Sequence, residues 1–462
     1  MRKYIGTKQF YKNTLTLMIP MVIQNVVTNF VSMLDNIMVG QLGTAPMSGV
    51  SIVNQFIFIF NLTLFGSLAG PTIFGAQFYG KGDHEGQKQT MRFRMIAALC
   101  IIVLFATIYL MFTEPLLSLY ISKNDDAYAK AKTLAYGMEY MKYIVISMLP
   151  FGISQAYSSV IRECGETKIP MIGSLMAVLV NLVLDYGLIF GKLGMPCLGV
   201  KGAAIATVVA KTVEAMVVVF WAHTHQEKNR YIPGLYRGFA IEPQLCKHMF
   251  RKGLPLLINE FLWVAGVSAI AQCYSVRGLD VVGARNIAMV IVNLFGVIYI
   301  QIGAATSIIL GNTLGAGKLK EAEKYAGWLM AFALFVSTVV GLIAFPTAFW
   351  FPNMYNTTGE ILELATYIIL TSAVCMPMWS YSNVCYNVLR SGGKTGITFL
   401  FDFVFTWGIQ IPICYFLAYH TQMPFKILYV VVIYTEIIKD MIGYFMVKSG
   451  FWVQNIVEKV KV

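Results

Sequence analysis

Apolar and polar residues segregate along this chain in long blocks. Runs of about 20 apolar residues recur near 14–38, 50–76, 92–113, 136–160, 169–190 and 202–222. Six more lie near 252–275, 286–311, 325–348, 363–388, 396–418 and 427–447. Each can cross a hydrocarbon core of about 30 Å as a helix, and a helix satisfies its own backbone amides where no water is present. The pattern predicts an all-α integral membrane protein of 12 transmembrane helices. The longest polar interruption, HTHQEKNRYIPGLYRGFAIEPQLCKHM at 223–249, is expected to be a cytoplasmic linker.

The blocks repeat. At an offset of 235 residues Pro20 of LMIPMVIQN meets Pro255 of KGLPLLINE, and Gly80 and Gly82 meet Gly315 and Gly317. Later the offset settles at 228, where VIRECGETKIP meets VLRSGGKTGIT through Arg162 and Arg390, Gly165 and Gly393, and Thr167 and Thr395. A six-helix unit has been duplicated. An even number of spans gives both copies one orientation, so a pseudo-two-fold axis along the membrane normal is expected. The expected division is 1–222 for the N-terminal lobe, 223–249 for the linker and 250–462 for the C-terminal lobe. The glycine pairs lack a preceding strand and P-loop spacing, so they are expected to be tight turns rather than phosphate sites.

Within the first block, Asn25, Thr28, Ser32 and Asp35 recur at steps of three and four, which places them on one helix face. A carboxylate at the bilayer centre costs roughly 2.5–3.5 kcal/mol on the permissive insertion scale, so this face should meet protein or water. Three other pairs of intramembrane charges, Glu139 with Lys142, Lys211 with Glu214 and Glu436 with Lys439, are spaced to pair along their own helices. Four acids have no such local partner: Asp35, Asp185, Glu260 and Asp402. Asn181 shares a face with Asp185, one turn earlier, and Asn259 precedes Glu260, which falls opposite Asn25 in the repeat. Asp402 stands among aromatic residues in FLFDFVFTW. A buried acid is often a satisfied core residue, but burial also disfavours the charged form. Such a group can exchange a proton, bind a small cation or hold a cationic ligand, and competition among these is how an antiporter couples two fluxes.

Composition narrows the class. The chain of 462 residues is 57% hydrophobic and 13% charged, with a mean hydropathy of +0.65, too apolar for a soluble protein. Its net charge of +12 raises the question of nucleic acid. Most lysines and arginines fall in the loops on one side, as the positive-inside rule demands, so both termini are expected in the cytoplasm and no nucleic-acid partner is expected. The basic start, MRKYIGTKQFYKNTL, has no small-residue cleavage site after it and reads as a retained anchor. Eight scattered cysteines support neither a disulfide framework nor a zinc site. All five histidines lie in loops or at span ends, and GxSxG and HExxH are absent, so an intramembrane enzyme is disfavoured.

LDNIMVGQLG, NLVLDYGLIFG, GVKGAAIATVVA and IRECGETKIPM together resemble the multidrug and toxic compound extrusion (MATE) family, over essentially the whole chain. The resemblance implies two six-helix lobes forming a V around a central cavity, and export of organic cations or other amphiphilic drugs against inward H⁺ or Na⁺. It implies an N-lobe cation site of Asp35, Asn181, Asp185 and Thr207, whose oxygens suit a hard cation such as Na⁺. The C-lobe departs from the family pattern: Trp263 stands where a carboxylate is common one turn beyond Glu260. Glu260, Asn259, Asp402 and Asn25 are kept as C-lobe or substrate-cavity candidates. A lipid-linked oligosaccharide flippase of the same superfamily would want a basic cavity, and its one candidate, Lys211, has Glu214 beside it. No cofactor beyond the coupling ion is expected. The chain is expected to lie in the cell membrane as a monomer.

Overall fold

The computed structural model describes residues 5–121, 126–238 and 240–458. Eleven helices among them are long and apolar enough to cross a membrane. In the first half these are α1 (Lys8–Gly40), α2 (Thr44–Lys81), α3 (His84–Met111), α4 (Ala127–Glu163), α5 (Lys168–Phe190) and α6 (Val200–Thr224). The second half has α7 (Pro243–Ser275), α8 (Leu279–Gly315), α9 (Leu319–Ala344), α10 (Gly359–Ser391) and α11 (Thr395–His420). The twelfth, α12, is broken at Thr435 into Phe425–Tyr434 and Glu436–Lys448. The expected twelve-helix, all-α architecture is the one observed.

The duplication is visible in the helices. Both α1 and α7 have 33 residues with an internal proline, Pro20 and Pro255, while α2 has 38 residues and α8 has 37. Two local departures interrupt the regular ladder: a 3₁₀ step at Val145–Ser147 in α4 and a π turn at Thr406–Gln410 in α11. The second has no counterpart in α5. An extra residue in one turn rotates everything after it relative to the repeat.

Packing divides the chain into two compact units. One comprises Ile19–Gly75 and Asp83–Met249 and is called the N-lobe below; the C-lobe comprises Phe250 onward, the start of the chain through Met18, and Ala76–Gly82. This differs from the expected 1–222, 223–249 and 250–462 in two ways. First, the 223–249 segment packs within the N-lobe. Tyr231, Ile232 and Leu235 enter a core with Met91, Tyr157 and Ile161. The Arg92 guanidinium donates to the carbonyls of Leu235, Ala240 and Gly234, each at 3.1 Å. Three apolar residues in YIPGL, met by a buried arginine, make this loop a packed element.

Second, the first turns of α1 and the last turn of α2 belong to the C-lobe. Phe10 lies 4.8 Å from the Tyr325 ring and 5.1 Å from Trp328, with Tyr11 stacked on Phe332 of α9. At the end of α2, a Cβ on Gly80 would overlap the Asn312 carbonyl of α8, and a Cβ on Gly315 would overlap the Gln77 carbonyl. Gly80 pairs with Gly315 in the repeat, as Gln77 pairs with Asn312, so each helix end makes the same close approach to the other. Only glycine permits that approach of backbones. Gly82 and Gly317 then both turn the chain at φ +75°, matching the expected tight turns. The chain's last described residues strap this crossing: the Gln77 amide donates to the Ser391 carbonyl at 2.9 Å, its oxygen accepts from the Ile456 amide at 2.8 Å, and Trp452 is buried.

Candidate ion-coupling centre

The N-lobe brings together four of the residues expected from sequence. Asp35 reaches in from the second half of α1, Asn181 and Asp185 from successive turns of α5, and Thr207 from α6. Asp35 and Asp185 face each other within hydrogen-bonding reach. Two carboxylates this close repel unless a proton or a cation lies between them. Asp35 Oδ1, Asp185 Oδ1 and Asn181 Nδ2 are buried, and among the described residues none of them makes a well-formed hydrogen bond, although Asn181 stands beside Asp185. Asp185 is 1% exposed and Asn181 5%, so water does not take up the deficit cheaply.

A fifth member, Tyr140 of α4, escaped the sequence reading. Its buried ring carries the hydroxyl to the same centre, beside both carboxylates and within reach of the Thr207 hydroxyl. Thr207 in turn donates to the Ala203 carbonyl at 3.1 Å, which leaves its oxygen free to accept from Tyr140. A tyrosine in an apolar span carries no charge to flag it; its position 228 residues before Ile368 makes it a difference between the repeats, the one signal available. The set is carboxylate, hydroxyl and amide oxygen, donors that suit a proton or a hard monovalent cation.

The rest of the α1 polar stripe does not join the centre. Asn25 donates to the Met21 carbonyl at 2.9 Å, Thr28 to Gln24 and Ser32 to Thr28, all within the helix. Regular spacing marked a face, but short polar side chains on a helix satisfy themselves on the preceding turn. Asn25 thus takes no part in the Asp35–Asp185 centre. Beside this face runs a second network: Arg162 donates to the Gln24 oxygen at 3.0 Å, Gln24 donates to Ser174 at 2.7 Å, and Ser174 donates to Glu214 at 2.8 Å. Lys211 closes it on Glu214 at 3.0 Å, the local pair expected from spacing.

The C-lobe candidates also converge, in a different state. Asp402 of α11 has no partner on its own helix, as expected, but it has two on other helices. Its Oδ1 lies 2.7 Å from the Lys439 ammonium of α12, and its Oδ2 accepts from the Asn259 amide of α7 at 2.9 Å. Lys439 leans on its expected partner Glu436 only at 3.5 Å. The correction has a simple cause: spacing along one helix cannot show which neighbouring helix offers a closer acid. Glu260 is half-buried, with Arg390 and Asp402 as its charged neighbours. Asp440 accepts from Ser382 at 2.6 Å. Glu139 and Lys142 are both exposed, and among the described residues they do not pair with each other. A pair the sequence did not reveal, Arg94 with Glu163 at 2.5 Å, is almost completely buried in the N-lobe.

Comparison with known proteins agrees with the duplication. The MatE family model matches residues 20–187 and again 255–416, so both matches begin at the repeat prolines. The "Probable multidrug resistance protein NorM" of Thermotoga maritima is 23% identical over 97% of this chain and 95% of its own length. The Multidrug resistance protein MdtK of Yersinia pseudotuberculosis is 25% identical, covering 90% and 89%. Among solved structures, a Vibrio cholerae MATE transporter in a bent form superposes with a TM-score of 0.85 at 16% identity, over 97% of this chain and 98% of that one. A transporter of the same superfamily from Pyrococcus furiosus gives 0.82 at 18%, over 97% of both chains. This chain is a multi-pass membrane protein and belongs to the MATE family of transporters.

Proposed function

We propose that this transporter is a secondary active multidrug exporter, moving organic cations and related amphiphilic drugs outward against an inward flux of H⁺ or Na⁺. The observation that carries the reading is the Asp35–Asp185 pair, two facing carboxylates on different helices, each with a buried Oδ1 that receives no donor from the described residues. The names of the NorM and MdtK relatives support the drug class. The chain lies in the cell membrane with both termini in the cytoplasm, and works as a monomer.

In the cycle, an ion from outside enters the N-lobe centre. A proton would bridge Asp35 and Asp185; Na⁺ would take their oxygens with the Asn181 carbonyl and the Thr207 and Tyr140 hydroxyls. Either removes the repulsion between the acids and lets α1 and α5 draw together. Drug release outward follows from that rearrangement, and the ion leaves toward the cytoplasm in the opposite state. Because the effect is a coupling free energy, bound drug must weaken ion binding by the same factor that bound ion weakens drug binding.

The test is efflux of ethidium or a fluoroquinolone from vesicles under an imposed ΔpH or Na⁺ gradient. Asp35→Asn and Asp185→Asn should each reduce gradient-driven efflux to the level of vesicles without transporter. Undiminished efflux in both variants would sink the model.

A further inference from the structure

The N-lobe and C-lobe networks occupy matching positions in the repeat. Lys439 lies 228 residues beyond Lys211, Asp402 lies 228 beyond Ser174, and Asn259 lies 235 beyond Gln24. The structure respects that register: Gln24 donates to Ser174 where Asn259 donates to Asp402. Each lobe therefore holds a lysine at the same place in its sixth helix. What differs is the counter-ion. Lys211 is held by Glu214, one turn along its own helix, so the carboxylates Asp35 and Asp185 remain available. In the C-lobe no acid stands at the places of those two. Ile270 takes the position of Asp35, and Pro412, Ile413 and Cys414 surround that of Asp185. Of the acids that remain near this point, Asp402 has both oxygens engaged, Glu260 has Arg390 and Asp402 as charged neighbours, Glu436 lies 3.5 Å from Lys439, and Asp440 accepts from Ser382.

We propose that Lys439 is the resident cation of the C-lobe. Its ammonium fills the place at Asp402 that a mobile ion would otherwise take, so the C-lobe binds no coupling ion and the cycle is coupled through the N-lobe alone. The ammonium is well held there. It is 13% exposed, sits 5.5 Å and 5.4 Å from the faces of Phe401 and Phe405, and has Glu436 as a second acid. An incoming cation would have to displace a tethered one or share a carboxylate with it, and like charges at one site repel. A mobile ion must also diffuse in, whereas the lysine is always present at the site. Lys439 is thus a specificity-determining residue that decides which lobe an ion enters. The inference rests on the N-lobe coupling reading for its last step only; exclusion of ions from Asp402 stands independently.

The test is charge movement on a solid-supported membrane carrying the full-length transporter, after jumps of Na⁺ concentration or pH without drug. Wild type should give one saturable binding current that Asp185→Asn removes. Lys439→Gln should gain a second, which survives Asp185→Asn and disappears when Asp402→Asn is added; Lys439→Arg should gain none. Absence of a gain in Lys439→Gln overturns the proposal, as does an Asp402-dependent current in the Asp185→Asn protein with Lys439 intact. If the gain appears while Asp35→Asn and Asp185→Asn leave coupled efflux untouched, the N-lobe reading fails and the exclusion by Lys439 stands. Should Lys439→Gln not fold, the neutral pair Lys439→Gln with Asp402→Asn replaces it. That protein should keep the wild-type ratio of ions to drug whatever its rate, and a lower ratio overturns the proposal.

Discussion

The two lobes are copies of one scaffold, yet their polar centres have opposite electrostatic states. In the N-lobe, Asp35 and Asp185 face each other with oxygens that no described residue satisfies, and the nearby lysine is held away on Glu214. In the C-lobe, the lysine reaches across to Asp402, and Asn259 completes the carboxylate's hydrogen bonds. Both arrangements place charge in a bilayer, where it is costly. The C-lobe meets the cost permanently with a covalently attached cation, which makes a stable element. In the proposed cycle, the N-lobe leaves it to be met by an ion that comes and goes, which would make that lobe the switch. On that reading, duplication supplied the positions, and a few substitutions decided which copy responds to the medium.

The comparison can be broken most severely from the C-lobe side. Asp402→Asn leaves the Lys439 ammonium with only the longer 3.5 Å contact to Glu436, and removing one partner of a buried pair costs about 3–5 kcal/mol. A large fall in melting temperature is expected, recovered in good part when Lys439→Gln is added. A single variant as stable as wild type would show that the pair does not hold the C-lobe together.

A milder change should make the N-lobe resemble the C-lobe. Glu214→Gln releases Lys211, whose charge already acts on Asp35. The ammonium should then compete with the coupling ion and weaken its apparent affinity by about tenfold, or roughly 1.4 kcal/mol. Ion-dependence curves of efflux would reveal the shift, and unchanged curves would mean that Lys211 cannot reach. Tyr140→Phe removes one hydroxyl from the centre without altering its shape. A net hydrogen bond contributes about 0.5–1.5 kcal/mol, so the same curves should move by a factor of a few. The smallest effect is expected at Glu260→Gln: half-buried and outside the Asp402–Lys439 contact, this acid should change coupled efflux less than twofold. A loss comparable to that of Asp185→Asn would give the C-lobe a coupling role.

Much of this was legible in the chain. Apolar block lengths predicted every span because bilayer thickness sets helix length and the backbone has no alternative partner in lipid. The duplication was legible through proline and glycine, residues held in register by backbone geometry. Asp35, Asn181 and Asp185 were legible because charge and amide groups are rare in such helices. Tyr140 was not, since a tyrosine in a membrane span is unremarkable until another helix brings two acids to its hydroxyl. Asp402 was legible as an acid without a partner on its own helix, but its partner was not legible, because Lys439 approaches it from another helix. Likewise, YIPGL in the 223–249 segment looked like part of a connector until Arg92 was found holding its carbonyls.

The amino-acid sequence by itself therefore determined the spans, the repeat and the inventory of buried charges, all of which follow from local hydrophobicity and periodicity. Only the tertiary structure decided the pairing. Which acid a lysine neutralises depends on distances of a few ångströms between helices far apart in sequence: Lys439 lies 2.7 Å from Asp402 on another helix, whereas Lys211 stays 3.0 Å from Glu214 on its own. Coulomb energies change steeply over that range in a medium of low polarity. That is why one lysine of the repeat stays on its own helix while the other closes off a carboxylate.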